Sequence, residues 1–170
     1  MGLEDYSKRI HVIKSKLYRF ALKFLHDKHE AEDVVQETLA KVWSHKNRFD
    51  ELANFEGWCM TLVRNQSLDR LKSAQYKTSV VRINPEAESH SKTPYQQAEL
   101  ADRIRTVRRL IDTLPEKQKQ VIHLRDVEGF SYQEIADIME IEVNLVKVTL
   151  FRARTTIKTK LLKAEAYGTG

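Results

Sequence analysis

The sequence predicts an all-α protein with two small helical domains joined by a flexible linker and a helix-turn-helix in the C-terminal domain. Apolar residues recur at steps of three and four along most of the chain, as on one face of an α-helix. Of the 170 residues only five are glycine and three are proline, while 31% are charged, and this composition favours long helices over sheets. Residues 74–97 lack this periodicity and divide the chain in two.

Three amphipathic helices are predicted within residues 1–73. Each has one face too apolar to remain in water, so we expect the three to pack against one another as one domain. The residues expected to face inward are Ile10, Ile13, Leu17, Phe20 and Phe24, then Ala31, Val34 or Val35, Thr38 or Leu39 and Val42, and then Phe55, Cys59, Leu62, Val63, Leu68 and Leu71.

Residues 74–97 contain two prolines and few aliphatic residues, so they are predicted to be an extended, mobile linker. A second helical domain is expected over residues 98–164, followed by a tail over residues 165–170. It opens with an apolar stripe formed by Leu100, Ile104, Val107, Ile111 and Leu114.

The clearest helix start in the sequence is at Ser131. Ser131 and Glu134 have the spacing of a capping box, and Phe130 and Ile135 that of a hydrophobic staple. Gly129 is suited to the left-handed conformation that ends a preceding helix. These local signals predict a helix that begins just after Ser131.

The segment that follows Ser131 predicts a helix-turn-helix. A short helix over residues 131–139 and a tight connection over residues 140–142 lead into a longer helix from Val143 to about Leu162. Such a pair presents the N-terminal half of its second helix to the major groove. The positive charge of the second helix, taken alone, is also explained by a basic helix that simply faces water. A helix of one charge sign attracts phosphates, however, so the charge together with the capped short helix favours DNA binding. The basic residues of the second helix, which has no acid before Glu165, are Lys147, Arg152, Arg154, Lys158, Lys160 and Lys163.

The N-terminal domain carries two further polar groups. One is an acidic helical edge, which DNA would repel, so that it must face either water or a protein; it consists of Glu30, Asp33 and Glu37. The other is a set of aromatic, amide and basic residues on the third helix, which suits an unstacked base. The residues alone leave open that Trp58 is simply core and that Asn65 pairs with Asp69.

Four segments, in this order and with this spacing, resemble a small sigma factor of bacterial RNA polymerase. The type is the extracytoplasmic-function group, which keeps only regions 2 and 4 of the larger sigma-70 proteins. The segments are AEDVVQETLAKVW (31–43), FEGWCMTLVRNQSLDRLKS (55–73), LPEKQKQVIHLRDVEGFSYQEIADIM (114–139) and VKVTLFRARTTIKTKL (146–161).

The resemblance implies region 2 over residues 1–73, region 4 over residues 98–164, and a role for individual positions. The residues that would dock on the polymerase are Asp33, Val34, Gln36 and Glu37. Those that would bind the melted −10 element are Trp58, Arg64, Asn65, Asp69 and Arg70. Those that would bind the −35 element are Asn144, Lys147, Val148, Phe151, Arg152 and Arg154.

Within the predicted recognition helix, Asn144 and Lys147 are the best candidates for base edges, since positions 144, 147, 148 and 151 share a face. Arg152, Arg154 and Lys158 are expected at phosphates. This chain departs from the family at Glu140, where Gly is frequent, so Glu140 either avoids the left-handed conformation or accepts strain of about 1 kcal/mol. It also has Asn144-Leu145 where the family often has Gly-Thr, and Thr149 where Lys or Arg is frequent.

The implied partners are core RNA polymerase, promoter DNA and an anti-sigma factor, commonly membrane-anchored, that covers one or both functional faces of the idle protein. Alternatively, the two domains of the idle protein pack on each other, with residues 74–97 closing the gap. The linker would thread the polymerase channel toward the active site. No small-molecule substrate, cofactor, metal or enzymatic activity is implied, and the free protein is expected to be a monomer. A single cysteine, Cys59, and the lack of a long apolar run predict a cytoplasmic protein.

Two other functions compete with this interpretation. An enzyme with a metal site at His26, His29, Glu30 and Asp33 is the first, but the sequence has no phosphate-binding glycine loop or nucleophile motif. A DNA-binding regulator that acts without the polymerase is the second. Such a protein would carry a ligand-binding or receiver domain where this chain has the acidic edge and the third helix.

Overall fold

The structure, a computed structural model, describes residues 2–77 and 95–168, and these residues form helices without any β-strand. The all-α prediction is therefore confirmed. The chain divides into two compact units, residues 1–86 and 87–170. None of the described helices has the length and apolar character needed to cross a membrane. The α-helices are α1 (Leu3–Leu25), α2 (Lys28–Ser44), α3 (Phe55–Lys77), α4 (Tyr95–Asp112), α5 (Glu116–Ile122), α6 (Tyr132–Met139) and α7 (Val143–Gly168).

In unit 1, helices α1, α2 and α3 pack against one another in all three pairings. Asp27 starts α2, because its side chain accepts a hydrogen bond from the backbone N–H of Glu30 at 3.1 Å. A 3₁₀ helix, Lys46–Glu51, joins α2 to α3 and was not predicted. The largest fully buried side chains of this unit include Ile13, Leu17, Phe20, Phe24, Phe49 and Met60.

A polar contact in this core joins α2 to α3. With its amide nitrogen toward α2, Gln66 donates to the carbonyl of Val34 (3.1 Å) and the hydroxyl of Thr38 (2.7 Å), while its oxygen accepts from Lys41 Nζ (3.0 Å). Since a buried amide without partners would be costly, this network fixes the face that α3 turns inward. The prediction of which face of α3 points inward was partly wrong. Leu62, Leu68 and Leu71 are only half-buried, whereas Met60, Gln66 and Ser67 are buried.

In unit 2, α7 packs against α4, α5 and α6. A π-helical segment, His123–Val127, extends α5, and Gly129 follows with φ 78, as predicted for the residue that ends the helix. The predicted stripe on α4 is buried only toward its C-terminal end. Leu100 and Ile104 remain 59% and 43% exposed. The side chains that fill this core include Val121, Leu124, Ile135, Ile138, Val146 and Leu150.

The linker and the tail were both predicted to be longer than the helix boundaries allow. Residues 74–77 belong to α3, residues 95–97 belong to α4, and α7 continues through residues 165–168. Helical periodicity is hard to detect there because few apolar residues mark the inner face. The remainder of the predicted linker, residues 78–94, and residues 169–170 of the predicted tail lie outside the described residues.

Candidate nucleic-acid interface

The helix-turn-helix consists of α6 and α7, and its start is confirmed. The Ser131 hydroxyl accepts from the Glu134 N–H at 3.1 Å, and the Ser131 N–H donates to the Glu134 carboxylate at 2.7 Å. Phe130 and Ile135 are both buried, as a hydrophobic staple requires. The reciprocal bonds satisfy two backbone N–H groups at the helix end and fix where this short helix begins, while its buried residues pack it against the rest of unit 2.

The connection between α6 and α7 is tight because its first residue is left-handed. Glu140 has φ 55 and ψ 46, and the N–H of Ile141 donates to the carbonyl of Ala136 at 3.0 Å. Of the two possibilities at Glu140, the chain adopts the strained one. A residue with a Cβ loses about 1–2 kcal/mol in this conformation.

Over residues 143–157, α7 has one buried and one exposed face. The buried face packs against the other helices of unit 2 and comprises Val146, Thr149, Leu150, Ala153 and Ile157. Thr149 therefore packs inward, at a position where the resemblance leads one to expect Lys or Arg. The exposed face comprises Asn144, Lys147, Val148 (44% exposed), Phe151 (71% exposed) and Arg152. The expectation that positions 144, 147, 148 and 151 share a face is confirmed.

Arg154, which the sequence assigned to a phosphate, is held by an acid of its own unit. Its Nε lies 3.0 Å from Asp126 Oδ2, and a terminal nitrogen lies 2.5 Å from Asp126 Oδ1. The hydrogen bonds that Arg154 donates to Asp126 raise the pKa of Arg154 despite partial desolvation. This bidentate contact fixes α7 to the π-helical segment. Lys160 adds a second tie by donating to the Thr113 hydroxyl at 2.8 Å.

The residues assigned to the −10 element occupy three different environments on α3. Trp58 is half-buried, with its ring 5.7 Å from His45 and 6.2 Å from Phe49. Asn65 and Asp69 are exposed, and Arg64 reaches the Asn65 side chain at 3.4 Å. Trp58 is thus partly a packing residue, as the alternative held, but it keeps some accessible surface.

Arg70 is committed to an ion-pair cluster rather than being freely available to DNA. Its two terminal nitrogens lie 2.5 Å from Glu30 and 2.6 Å from Glu37, both on α2. Desolvation acts to lower the pKa of Arg70, but the hydrogen bonds and charges of Glu30 and Glu37 outweigh it and raise the pKa. The cluster joins a residue assigned to the −10 element to one assigned to the polymerase.

The acidic edge of α2 corrects one assignment. Asp33, Gln36 and Glu37 are exposed, but Val34 is fully buried and cannot meet a partner directly. Its inward position follows the apolar periodicity of α2, which the resemblance alone does not convey. Asp33 and Gln36 border a groove of 600 Å³ between α1 and α2, and across it lie Lys14, Ser15, Tyr18 and Arg19.

An aromatic cluster between the start of α1 and the 3₁₀ helix was missed by the sequence analysis. Trp43 lies 4.8 Å from Tyr6, and the Lys46 ammonium lies 4.2 Å from the Trp43 ring centroid. The i, i+3 spacing of Trp43 and Lys46 was the available signal, but Tyr6 is distant in sequence. No group of three or more His, Cys, Asp or Glu side chains within the described ranges could hold a metal ion.

Comparison with known proteins places both units. Residues 11–76 match the family described as Sigma-70 region 2, and residues 104–157 match Sigma-70, region 4. The chain is 30% identical over 156 residues to the RNA polymerase sigma-H factor of Pseudomonas aeruginosa, covering 86% of this chain and 80% of that one. It is 27% identical over 165 residues to the ECF RNA polymerase sigma factor SigW of Bacillus subtilis, covering 89% and 86%.

A solved structure is similar over nearly the whole chain. It is the sigma factor RpoE of Bartonella quintana in complex with the anti-sigma factor NepR, with a TM-score of 0.75, 22% identity and coverage of 95% of this chain and 98% of that chain. That likeness supports the fold. The two region matches and the curated relatives show that the chain belongs to the extracytoplasmic-function group of the sigma-70 family of RNA polymerase sigma factors.

Proposed function

We propose that this sigma factor reads its promoter with two separate surfaces, the exposed face of α7 for the −35 duplex and the exposed residues of α3 for the melted −10 strand. Family membership makes it a factor for promoter-specific transcription initiation. The observation that carries the proposal is the composition of α7, where polar, apolar and basic side chains line one exposed face at the N-terminal end of the second helix of a helix-turn-helix.

On α7 the chemistry of each exposed side chain suits a different contact. Asn144 has the paired donor and acceptor that fit adenine, and Lys147 donates to guanine. Val148 and Phe151 offer apolar surface, which suits a thymine methyl group. Arg152 and Lys158, further along the helix, are proposed to hold phosphates.

The division between base contacts and phosphate contacts is testable with two alanine variants. In holoenzyme reconstituted with core polymerase, Asn144→Ala should weaken binding to preferred −35 sequences by about 1–3 kcal/mol and change which sequences are preferred. Lys158→Ala, the matched control on the same helix, should weaken all sequences alike and lower the salt slope by roughly one. The readout is enrichment from duplexes with a randomised −35 region. Equal effects of both variants on every duplex would contradict the proposal.

On α3 the proposed −10 contacts are Asn65 and Asp69, which are exposed, together with Arg64 and the accessible part of Trp58. Edge hydrogen bonds from the amide and carboxylate, and stacking on the indole, suit an unpaired base. Arg70 is proposed to act indirectly, by fixing α3 to α2.

Docking on core polymerase is proposed for Asp33 and Gln36, with Glu37 contributing beside its bond to Arg70. These side chains are exposed and border the groove between α1 and α2, so a partner can reach them from solvent. Asp33→Lys should weaken association with core polymerase without loss of helix content. Co-purification with core polymerase also separates a sigma factor from an independent DNA-binding regulator, which would bind its site tightly when alone.

The family consists of non-catalytic initiation factors, and the lack of enzymatic activity in this chain is part of the proposal. We also propose an anti-sigma factor as a partner, since the Bartonella neighbour was solved with one. Exposed apolar residues on α4, Leu100 and Ile104, support a covering protein partner. Anchoring of that partner in a membrane stays a prediction.

A further inference from the structure

Tyr132, the first residue of α6, has a ring that two cations from different elements approach. The Arg125 guanidinium carbon lies 4.7 Å from the ring centroid, and the Lys147 ammonium lies 5.9 Å from it. Both distances fall within the roughly 6 Å over which a cation is attracted to an aromatic ring. Arg125 is itself anchored, because it donates to the carbonyl of Phe130 at 2.8 Å.

The tyrosine also connects to the contact that fixes α7. The Tyr132 phenol, after the larger effect of Asp126, contributes to the raised pKa of Arg154. Tyr132 thus interacts with the segment before the helix-turn-helix and with α7 after it. It is only half-buried, so filling core volume does not account for its position.

Lys147 is the residue that gains most from such a contact. It is exposed and projects from the proposed reading face of α7. A lysine side chain is flexible, and its ammonium can point in many directions in water. A ring that attracts the ammonium at its resting position narrows those directions before DNA arrives, which is preorganisation for binding.

We propose that Tyr132 is a positioning residue for −35 recognition, holding the Lys147 ammonium over its ring so that it reaches one base position rather than the phosphates nearby. This inference rests on the proposed function, in which Lys147 contacts a base. Tyr132, which lies on the first helix of the pair and outside the reading face, would thereby contribute to sequence specificity. The π face of the ring is the required feature, and the hydroxyl is not required for the effect on Lys147.

The test uses holoenzyme reconstituted with core polymerase and a pool of promoter duplexes with a randomised −35 region. Lys147→Ala first identifies the base position at which preference is lost. Tyr132→Phe, which keeps the ring, should match the wild-type preference at that position. Tyr132→Leu should lower that preference about two- to fivefold, as expected for an exposed cation–π contact, and leave the salt slope unchanged.

A matched series at the same position controls for packing. Trifluorinated phenylalanine in place of Tyr132 nearly keeps the shape of phenylalanine but removes the negative face of the ring. It should reproduce the loss seen with leucine. Equal preferences for the phenylalanine and trifluorophenylalanine proteins, or a uniform weakening on all sequences, would overturn the inference. If Lys147→Ala itself leaves every preference unchanged, the proposed role of Lys147 fails, whatever Tyr132 does.

Discussion

Replacing Glu140 with glycine should stabilise unit 2. Glu140 holds φ 55 at the connection between α6 and α7, where a Cβ costs about 1–2 kcal/mol. Glycine removes that strain, but it also makes the unfolded chain more flexible, which offsets about 0.4–1 kcal/mol of the gain in stability. The net gain in the free energy of unfolding is about 0.5–1 kcal/mol. For a domain of this size, that gain raises the melting temperature by about 2–8 °C.

Two control variants isolate the backbone effect. Glu140→Ala removes the carboxylate but keeps the Cβ, so it should leave most of the strain in place. Gly129→Ala is the mirror experiment: Gly129 has φ 78, and a Cβ there would meet no atom within 4 Å, so any loss comes from the backbone alone. It should lower the melting temperature by an amount similar to the gain from Glu140→Gly.

The assay can distinguish the two units, because both tryptophans, Trp43 and Trp58, belong to unit 1. Far-UV circular dichroism follows helix loss in the whole chain, while tryptophan fluorescence follows unit 1. Glu140→Gly should move the circular dichroism transition without moving the fluorescence transition. A destabilised Glu140→Gly protein, or one no more stable than Glu140→Ala, would refute the strain argument.

Two further predictions concern unit 1. Arg70→Ala should lower the free energy of unfolding of unit 1 by about 1–2 kcal/mol, a modest figure because Glu30 and Glu37 are about half exposed. Tryptophan fluorescence during urea unfolding measures this change. An unchanged urea midpoint would show that the ion-pair cluster contributes nothing to stability. Burial, with a smaller effect from Glu56, raises the pKa of the Cys59 thiol to about 12 from 9.0. The unfolded chain therefore loses this proton first, and the contribution of Cys59 to stability, complete below pH 9, should decline between pH 9 and 12. Cys59→Ala should reduce that decline, and the same alkaline decline in wild type and variant would contradict the assignment.

How much the sequence could predict depended on how local each signal was. The start of α6 is set by Ser131, Glu134 and their neighbours, all within one turn, so it could be predicted in detail. The three helices of unit 1 could be predicted from the spacing of apolar residues. The inward face of α3 could not, because the burial of Gln66 depends on Thr38 and Lys41 of another helix.

The ion pairs explain the remaining differences in the candidate site. Arg70 meets Glu30 across 40 residues, and Arg154 meets Asp126 across 28, so nothing near either arginine in sequence reveals the partner. A basic residue on a DNA-binding helix is by default assigned to DNA. Val34 differs from these, since its own periodicity predicted burial and only the resemblance suggested a partner contact.

The contact between Arg154 and Asp126 helps to set the direction of the N-terminal end of α7, where the −35 contacts are proposed. Asn144 lies ten residues before Arg154, which is about 15 Å along the helix at 1.5 Å per residue. A rotation of about 4° at that contact therefore displaces Asn144 by about 1 Å, more than the roughly 0.5 Å range of a good hydrogen bond. Under the proposed assignment of Asn144 to a base, substitutions near Asp126 or Thr113 change promoter choice while the proposed base-contacting side chains stay the same. Promoter preference then drifts through residues that make no proposed contact with DNA.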